Sequence, residues 1–296
     1  MRKKCICLVL AGELVGTAMI AADPASTQQE SQSRQNSSIT ITSLPDEIKL
    51  IIGETKEQNY SPRVKAIHAL SANLPDDQVQ ACYRFLYKKI ETQKLPDLQF
   101  NALKNELVFV LMRQKKKPTE LAGHLVKMYK DKSFDTTWRD YCVQFFGKWY
   151  PNAPDNQGRK DMAAGLWDAL QHERGNRIAG GASAQLCFLS RRYPEFDKAK
   201  VSAESFNALT DPKCADISRL PLMHTCALLG NEKVLPIARK YAQKGSPMMR
   251  ASAIGVIGIV GNKDDIKMLE ELASARDIRL QRPAHVAIDK IKSRTK

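Results

Sequence analysis

The chain has 296 residues, 43% of them apolar and 26% charged, with 15 glycines and 14 prolines. That balance excludes collagen-like and wholly disordered classes and leaves enough apolar material for a sizeable core. A formal net charge of +14 favours association with polyanions such as nucleic acid, anionic lipid or acidic glycans, and says nothing about fold.

In chain order, Arg2, Lys3 and Lys4 precede an apolar stretch over residues 5–22 that ends in Met19-Ile20-Ala21-Ala22 and is followed by Asp23-Pro24. This is the plan of a secretory signal peptide, with cleavage after Ala21 or Ala22, so residues 1–22 are expected to direct the chain to the periplasm or outside the cell. Glu13 interrupts the run and opposes insertion. A charge-broken span of this length does not persist as a transmembrane helix, and no later segment is apolar enough to span a membrane. Cys5 and Cys7 lie at the start of the run, the wrong end for a lipoprotein. Residues 23–43 are rich in Ser, Gln and Thr and are expected to form a disordered linker, because they bury too little apolar surface to offset the entropy of ordering.

From residue 44 to 296, apolar residues recur at three- and four-residue spacing, and alternating Val/Ile/Thr runs are absent. The expectation is an all-α domain of paired helices. Helix starts and stops place these at 45–58 with 62–73, 76–93 with 97–114, 118–131 with 135–150, and 157–172 with 175–192. Three more pairs follow at 201–210 with 213–229, 231–244 with 247–260, and 263–275 with 278–293. Pro62 and Pro247 each follow a serine at a helix start, where the missing N–H costs nothing.

The chain also matches itself at an offset of about 31 residues, with 229–260 laid over 260–291. Gly230-Asn231 overlies Gly261-Asn262, Ala242 overlies Ala273, Ala253 overlies Ala284 and Ile257 overlies Ile288. At the other end, the hexapeptide beginning Ser61-Pro62-Arg63 echoes the one beginning Ser246-Pro247-Met248, and Asp-Asp pairs open the helices that follow (Asp76-Asp77 and Asp264-Asp265). These residues resemble HEAT repeats of the short, bacterial lyase-like type, most clearly over 229–293. The middle, about 97–229, departs from the pattern with longer helices and Trp138, Trp149 and Trp167. The resemblance implies an α-solenoid of about seven antiparallel helix pairs acting as a scaffold or binding module.

Chemistry is sparse. The five histidines, His68, His124, His172, His224 and His285, never fall two to a helix at ligand spacing, and no zinc pattern occurs. His172-Glu173 is a lone His-Glu dipeptide, where the similar di-iron HEAT hydroxylases need several. The run from Gly181 to Gln185 falls one residue short of a nucleophile elbow, which in any case needs a strand. Gly180, Gly181, Gly255 and Gly258 fit better as points of close helix approach. No phosphate-binding loop appears, and neither a metal nor a cofactor is expected.

Candidate binding residues are the arginines near the starts of the second helices: Arg63, Arg139, Arg177, Arg219, Arg250 and Arg282, with Lys65 and Arg279 beside them. Cations there oppose the helix dipole, so each needs a compensating partner. One reading pairs them internally, with Asp135, Asp211, Asp216, Asp264 or Asp277, as an inter-repeat ladder. The other makes them a basic stripe for an acidic protein or a polyanion. Lys115-Lys116-Lys117 reads as a solvated loop, and Trp138, Trp149 and Tyr150 as core.

Of the cysteines, Cys142 and Cys187 sit in apolar helical runs and read as core, Cys82 is left unassigned, and Cys214 and Cys226 are a candidate disulfide. The expected function is therefore an exported, non-enzymatic scaffold presenting a curved basic surface, to a protein foremost and to a polyanion second. The alternative is an enzyme on the same scaffold, resembling a chromophore lyase or an alkyl-base DNA glycosylase.

Overall fold

Prolines and acidic residues open the helices of the computed structural model, which describes residues 43–92 and 94–294. The expected signal peptide and all of the expected linker but Ser43 lie outside the described residues. Pro45, Pro75 and Pro96 stand at N-caps with Asp46, Asp76 and Asp97 in the first turn, where a carboxylate complements the helix dipole. Elsewhere a side chain caps the first turn: Asp135 accepts from the Thr137 and Trp138 amides, Asp155 from Gly158, Asp197 from Lys200 and Ser246 from Met249.

The described residues form fourteen α-helices and no strand. They are α1 (Asp46–Ile52), α2 (Tyr60–Ala69), α3 (Asp76–Leu86), α4 (Asp97–Arg113), α5 (Leu121–Lys130), α6 (Thr136–Trp149) and α7 (Asn156–His172). The rest are α8 (Ile178–Ser190), α9 (Lys198–Thr210), α10 (Asp216–Leu228), α11 (Leu235–Lys244), α12 (Pro247–Val260), α13 (Ile266–Ala273) and α14 (Ile278–Arg294). The two largest shortfalls against the sequence expectation are at the ends of α1 and α3. α1 stops at Ile52 because Gly53 adopts φ 80, a left-handed cap that returns its N–H to the α1 carbonyls. α3 stops at Leu86, and the next residues form the turn from which Lys88 and Lys89 reach neighbouring loops.

Each odd-numbered helix packs on the even-numbered helix that follows, and each even-numbered helix also packs on the next even-numbered one. Among the odd-numbered helices, α1 packs on α3, and α7 packs on both α5 and α9, whereas the backbones of α3 and α5 stand apart. Close approach within the even-numbered set depends on glycine. A Cβ at Gly180 of α8 would lie 2.5 Å from Pro221 and 3.0 Å from the Ser218 backbone of α10, and one at Gly258 of α12 would lie 2.9 Å from the Ala287 backbone of α14.

One contiguous apolar core runs through the helices, from Leu44 to Ile291. Trp138 and Trp149 are completely buried in it, Cys142 and Tyr150 belong to it as well, and Cys187 is buried, all in agreement with the sequence expectation. All five described cysteines are free thiols, so the candidate disulfide between Cys214 and Cys226 is corrected. Cys214 precedes α10 and Cys226 lies in its last turn. The rise along one helix, about 15 Å over ten residues, is far beyond disulfide reach.

Candidate functional site

The six candidate arginines divide by what their side chains touch. Arg63, Arg139, Arg219 and Arg250 each occupy the fourth residue of an even-numbered helix, and each reaches back over the connecting turn to a carbonyl at the end of the preceding helix. Arg63 donates through Nε and Nη2 to Ile51 at 3.2 and 2.8 Å, and Arg139 Nε donates to Tyr129 at 2.8 Å. Arg219 donates to Leu209 and Cys214 at 2.9 and 3.0 Å, and Arg250 Nε to Ala242 at 2.9 Å. Gln281, fourth in α14, does the same to Ala275 at 2.8 Å. In the second pair, the Lys104 ammonium takes this role on the Lys88 carbonyl.

Terminal carbonyls carry the negative end of the helix dipole and lack intrahelical donors, so a cation placed there satisfies both. The compensation for Arg63, Arg219 and Arg250 is therefore mainly backbone, with the aspartates contributing less, whereas Arg139 also holds the Glu173 carboxylate. Asp216 lies 3.3 Å from Arg219. Asp135 caps α6, and Asp277 pairs with Arg279 at 2.8 Å. Arg177 and Arg282 differ: both are exposed. The Arg177 charge acts on Asp140, whose carboxyl burial pushes up to about 6 against the opposing pull of a Gln144 hydrogen bond and of Arg177 itself.

A second ladder, which the sequence reading missed, joins successive connecting turns by ion pairs. Lys88 meets Glu54 at 2.9 Å, Lys89 meets Asp131 at 3.5 Å, Lys132 meets Glu173, and Arg174 meets Asp211 at 2.9 Å. The signal is an acidic residue followed by a basic one at the same turn, Asp131-Lys132 and Glu173-Arg174, each member pairing in the opposite direction. Glu173 also takes Arg139 and Asn176. Burial alone would raise its carboxyl, but the hydrogen bonds from Lys132, Arg139 and Asn176 outweigh burial and hold it at about 2.

Where α3 and α5 stand apart, a groove opens between them. Its first part, about 520 Å³, is lined by Leu74, Asp76, Val79, Gln80 and Tyr83 on one side and Lys116, Lys117 and Glu120 on the other. It continues through a second part of about 470 Å³ past Tyr87, Gly123, His124 and Lys127. Residues 76, 80, 83 and 87 share one face of α3, and 120, 123, 124 and 127 one face of α5. Hydrogen bonds that cross it include Gln80 Nε2 to Glu120 at 2.8 Å and the Tyr87 hydroxyl to His124 Nδ1 at 3.0 Å. The His124 ring stacks on Tyr83 with centroids 4.0 Å apart, and burial lowers its pKa.

The Tyr83 phenol is the exceptional group. It is 2% exposed, its hydroxyl has no partner among the described residues, and it lines the groove. Burial, reinforced by the Glu120 charge, raises its pKa, so it remains a protonated donor. The Tyr83 side chain lines the groove, while its hydroxyl oxygen is shut off from solvent and lacks the hydrogen bond that a buried hydroxyl usually makes. Lys115, Lys116 and Lys117 are exposed, as expected of a solvated loop, and Lys116 spans the groove mouth to Asp76 at 3.4 Å.

Among the described residues, no group of three or more His, Cys, Asp and Glu side chains could hold a metal ion, and no helix is long and apolar enough to cross a membrane. The histidines lie apart from one another: His68 pairs with Glu106 at 2.9 Å and His172 with Asp168 at 3.0 Å. The fold and groove together define a class, an all-helical protein of packed helix hairpins with a cleft on its odd-numbered layer. Comparison with family models and with curated proteins gives no match.

Proposed function

We propose that the chain is an exported, non-enzymatic binding protein, a solenoid of about seven HEAT-like helix pairs, which holds a polypeptide segment in the α3–α5 groove. The observation that carries this reading is the groove itself, which opens where α3 and α5 stand apart and is lined in its first part by Tyr83. Around it stand side chains of both signs and both polarities: Asp76 and Glu120, Lys116 and Lys127, Gln80, Leu74 and Val79. Interspersed charge suits the mixed backbone and side-chain groups of a peptide, whereas a polyanion calls for one sign along the track. The basic stripe first considered for a polyanion gives way on the same ground, because four of its six arginines are engaged inside the fold. The rival glycosylase reading needs Trp, Asp and Arg on a basic surface, and Trp138 and Trp149 are wholly buried.

A photo-crosslinking side chain installed at Gly123 tests the groove in cells of the native host. Gly123 is exposed in the groove wall and a Cβ there meets nothing within 4 Å. A discrete protein adduct, lost when Tyr83→Phe is combined with Gln80→Ala, supports the reading. Adducts to nucleic acid, or no adduct at all, sink it. Sequencing the mature N-terminus tests export separately: a start at Ala22 or Asp23 supports it, and an intact Met1 removes it and revives the cytoplasmic enzyme.

A further inference from the structure

Helices α12 and α14 touch at Gly258 but leave space at Gly255, one turn earlier. A Cβ at Gly255 would meet only the His224 ring edge of α10, at 3.4 Å, and nothing of α14. The space is a cleft of about 230 Å³, walled by Pro283, Val286 and Ala287 and flanked by Arg282 and Lys290. Residues 282, 286 and 290 lie at i, i+4 and i+8 on one face of α14, which therefore reads cation, apolar, cation, with its ends about 12 Å apart. Val286 is 45% exposed.

The two cations have no ion-pair partner among the described residues, no carboxylate lines the cleft, and the Lys290 charge reaches His224, whose pKa burial and that charge lower together. This contrasts with the turn ladder, where lysines and arginines meet acids of neighbouring turns. The volume lies below the usual range of small-molecule pockets, and the walls are apolar, so the cleft suits a large apolar side chain better than a free ligand. Apolar sockets ringed by charge are where interface energy concentrates, with the ring setting partner sign.

We infer that this cleft is a docking socket for an acidic polypeptide partner: a leucine- or phenylalanine-sized side chain enters over Gly255, and carboxylates on either side of it meet Arg282 and Lys290. The socket lies in the even-numbered helix layer and is independent of the α3–α5 groove, so either can stand without the other.

Selection of random displayed peptides on the full chain tests it, followed by anisotropy titration of the enriched peptide with fluorescein attached. The expected enrichment is for one leucine or phenylalanine between Asp or Glu residues. Affinity is expected to fall at least tenfold in Gly255→Leu, which fills the socket, and in Arg282→Glu, which reverses an exposed charge, and to fall with added salt. Gly123→Trp, which blocks the other groove, is expected to leave the affinity of a socket-bound peptide unchanged. Enrichment of basic or uncharged peptides, absence of enrichment, or binding that survives both socket variants overturns the inference. Loss in Gly123→Trp alone transfers the peptide to the α3–α5 groove and overturns the socket while upholding that groove. Matching thermal melts exclude unfolding, and Arg282→Glu keeps the test valid should Gly255→Leu fail to fold.

Discussion

Arg139 of α6 and Glu173, which follows α7, form a buried ion pair, their side chains only 5% and 8% exposed. It ties the arginine that caps α5 to the acidic member of the next connecting turn, so the two ladders of the molecule meet there. Glu173→Ala leaves the Arg139 guanidinium buried without its acid and is expected to destabilise by about 3–5 kcal/mol. Glu173→Gln keeps the shape and tests the charge. The folded carboxyl sits at about 2 against a usual 4.5. Its contribution, roughly 3 kcal/mol, is therefore complete above about pH 4.5 and is lost as pH falls toward 2. Urea unfolding of both proteins between pH 7 and 2 should show the wild-type advantage shrinking through that window. A gap that stays constant with pH means that the charge of Glu173 contributes nothing.

The arginines sort into two groups with different mutational costs. Removing Arg63 or Arg250 deprives a helix C-terminus of its donor, and Arg63 is fully buried, where burial lowers its pKa to about 10. Alanine at either position is expected to cost about 1–3 kcal/mol. Arg177→Ala and Arg282→Ala, at exposed positions, should stay within about 0.5 kcal/mol. Chemical denaturation of the four variants separates the groups, and equal costs across them would refute the capping role.

How far this was legible in the sequence depended on whether a feature was local. Pro75-Asp76-Asp77 and Ser246-Pro247 mark helix starts by their own chemistry, and α3 and α12 begin there. The arginines were visible at the right positions, but their partners were expected among aspartates. The fourth residue of a helix that returns antiparallel faces the last carbonyls of its predecessor, a fact of hairpin geometry that leaves no trace in residue type. The turn ladder joins residues 34 to 42 positions apart with an irregular period, so Asp131-Lys132 and Glu173-Arg174 look like ordinary surface dipeptides until the turns are stacked. The α3–α5 groove depends on two helices failing to pack, which no single-sequence periodicity encodes.

Lys104 is a buried cation that the sequence did not single out. It is 1% exposed, with its ammonium 4.7, 4.9 and 5.0 Å from the Phe100, Trp138 and Phe134 rings. Desolvation lowers its pKa to about 7. Between about pH 7 and 10 the unfolded chain holds a proton there that the folded chain has released, so this group makes stability rise with pH through that window. In Lys104→Met, which is close in volume, that rise should disappear while the aromatic packing remains. Identical pH slopes in the two proteins would rule out the lowered pKa.

Two glycine-to-alanine changes of opposite sign test the helix layers themselves. At Gly123, in the first turn of α5, the added methyl points into open space, and replacing a helical glycine restricts the unfolded chain, so Gly123→Ala is expected to stabilise by about 0.5–1 kcal/mol. At Gly180 the same methyl lies 2.5 Å from Pro221 and 3.0 Å from the Ser218 backbone, which cannot give way as a flexible side chain would. There the propensity gain is overwhelmed, and Gly180→Ala should destabilise by about 1–3 kcal/mol by forcing α8 off α10. Thermal melts of the two variants with wild type decide the matter. Stabilisation at both positions would mean that α8 and α10 are farther apart than their glycine contact requires, and would remove the close packing on which the continuous even-numbered layer depends.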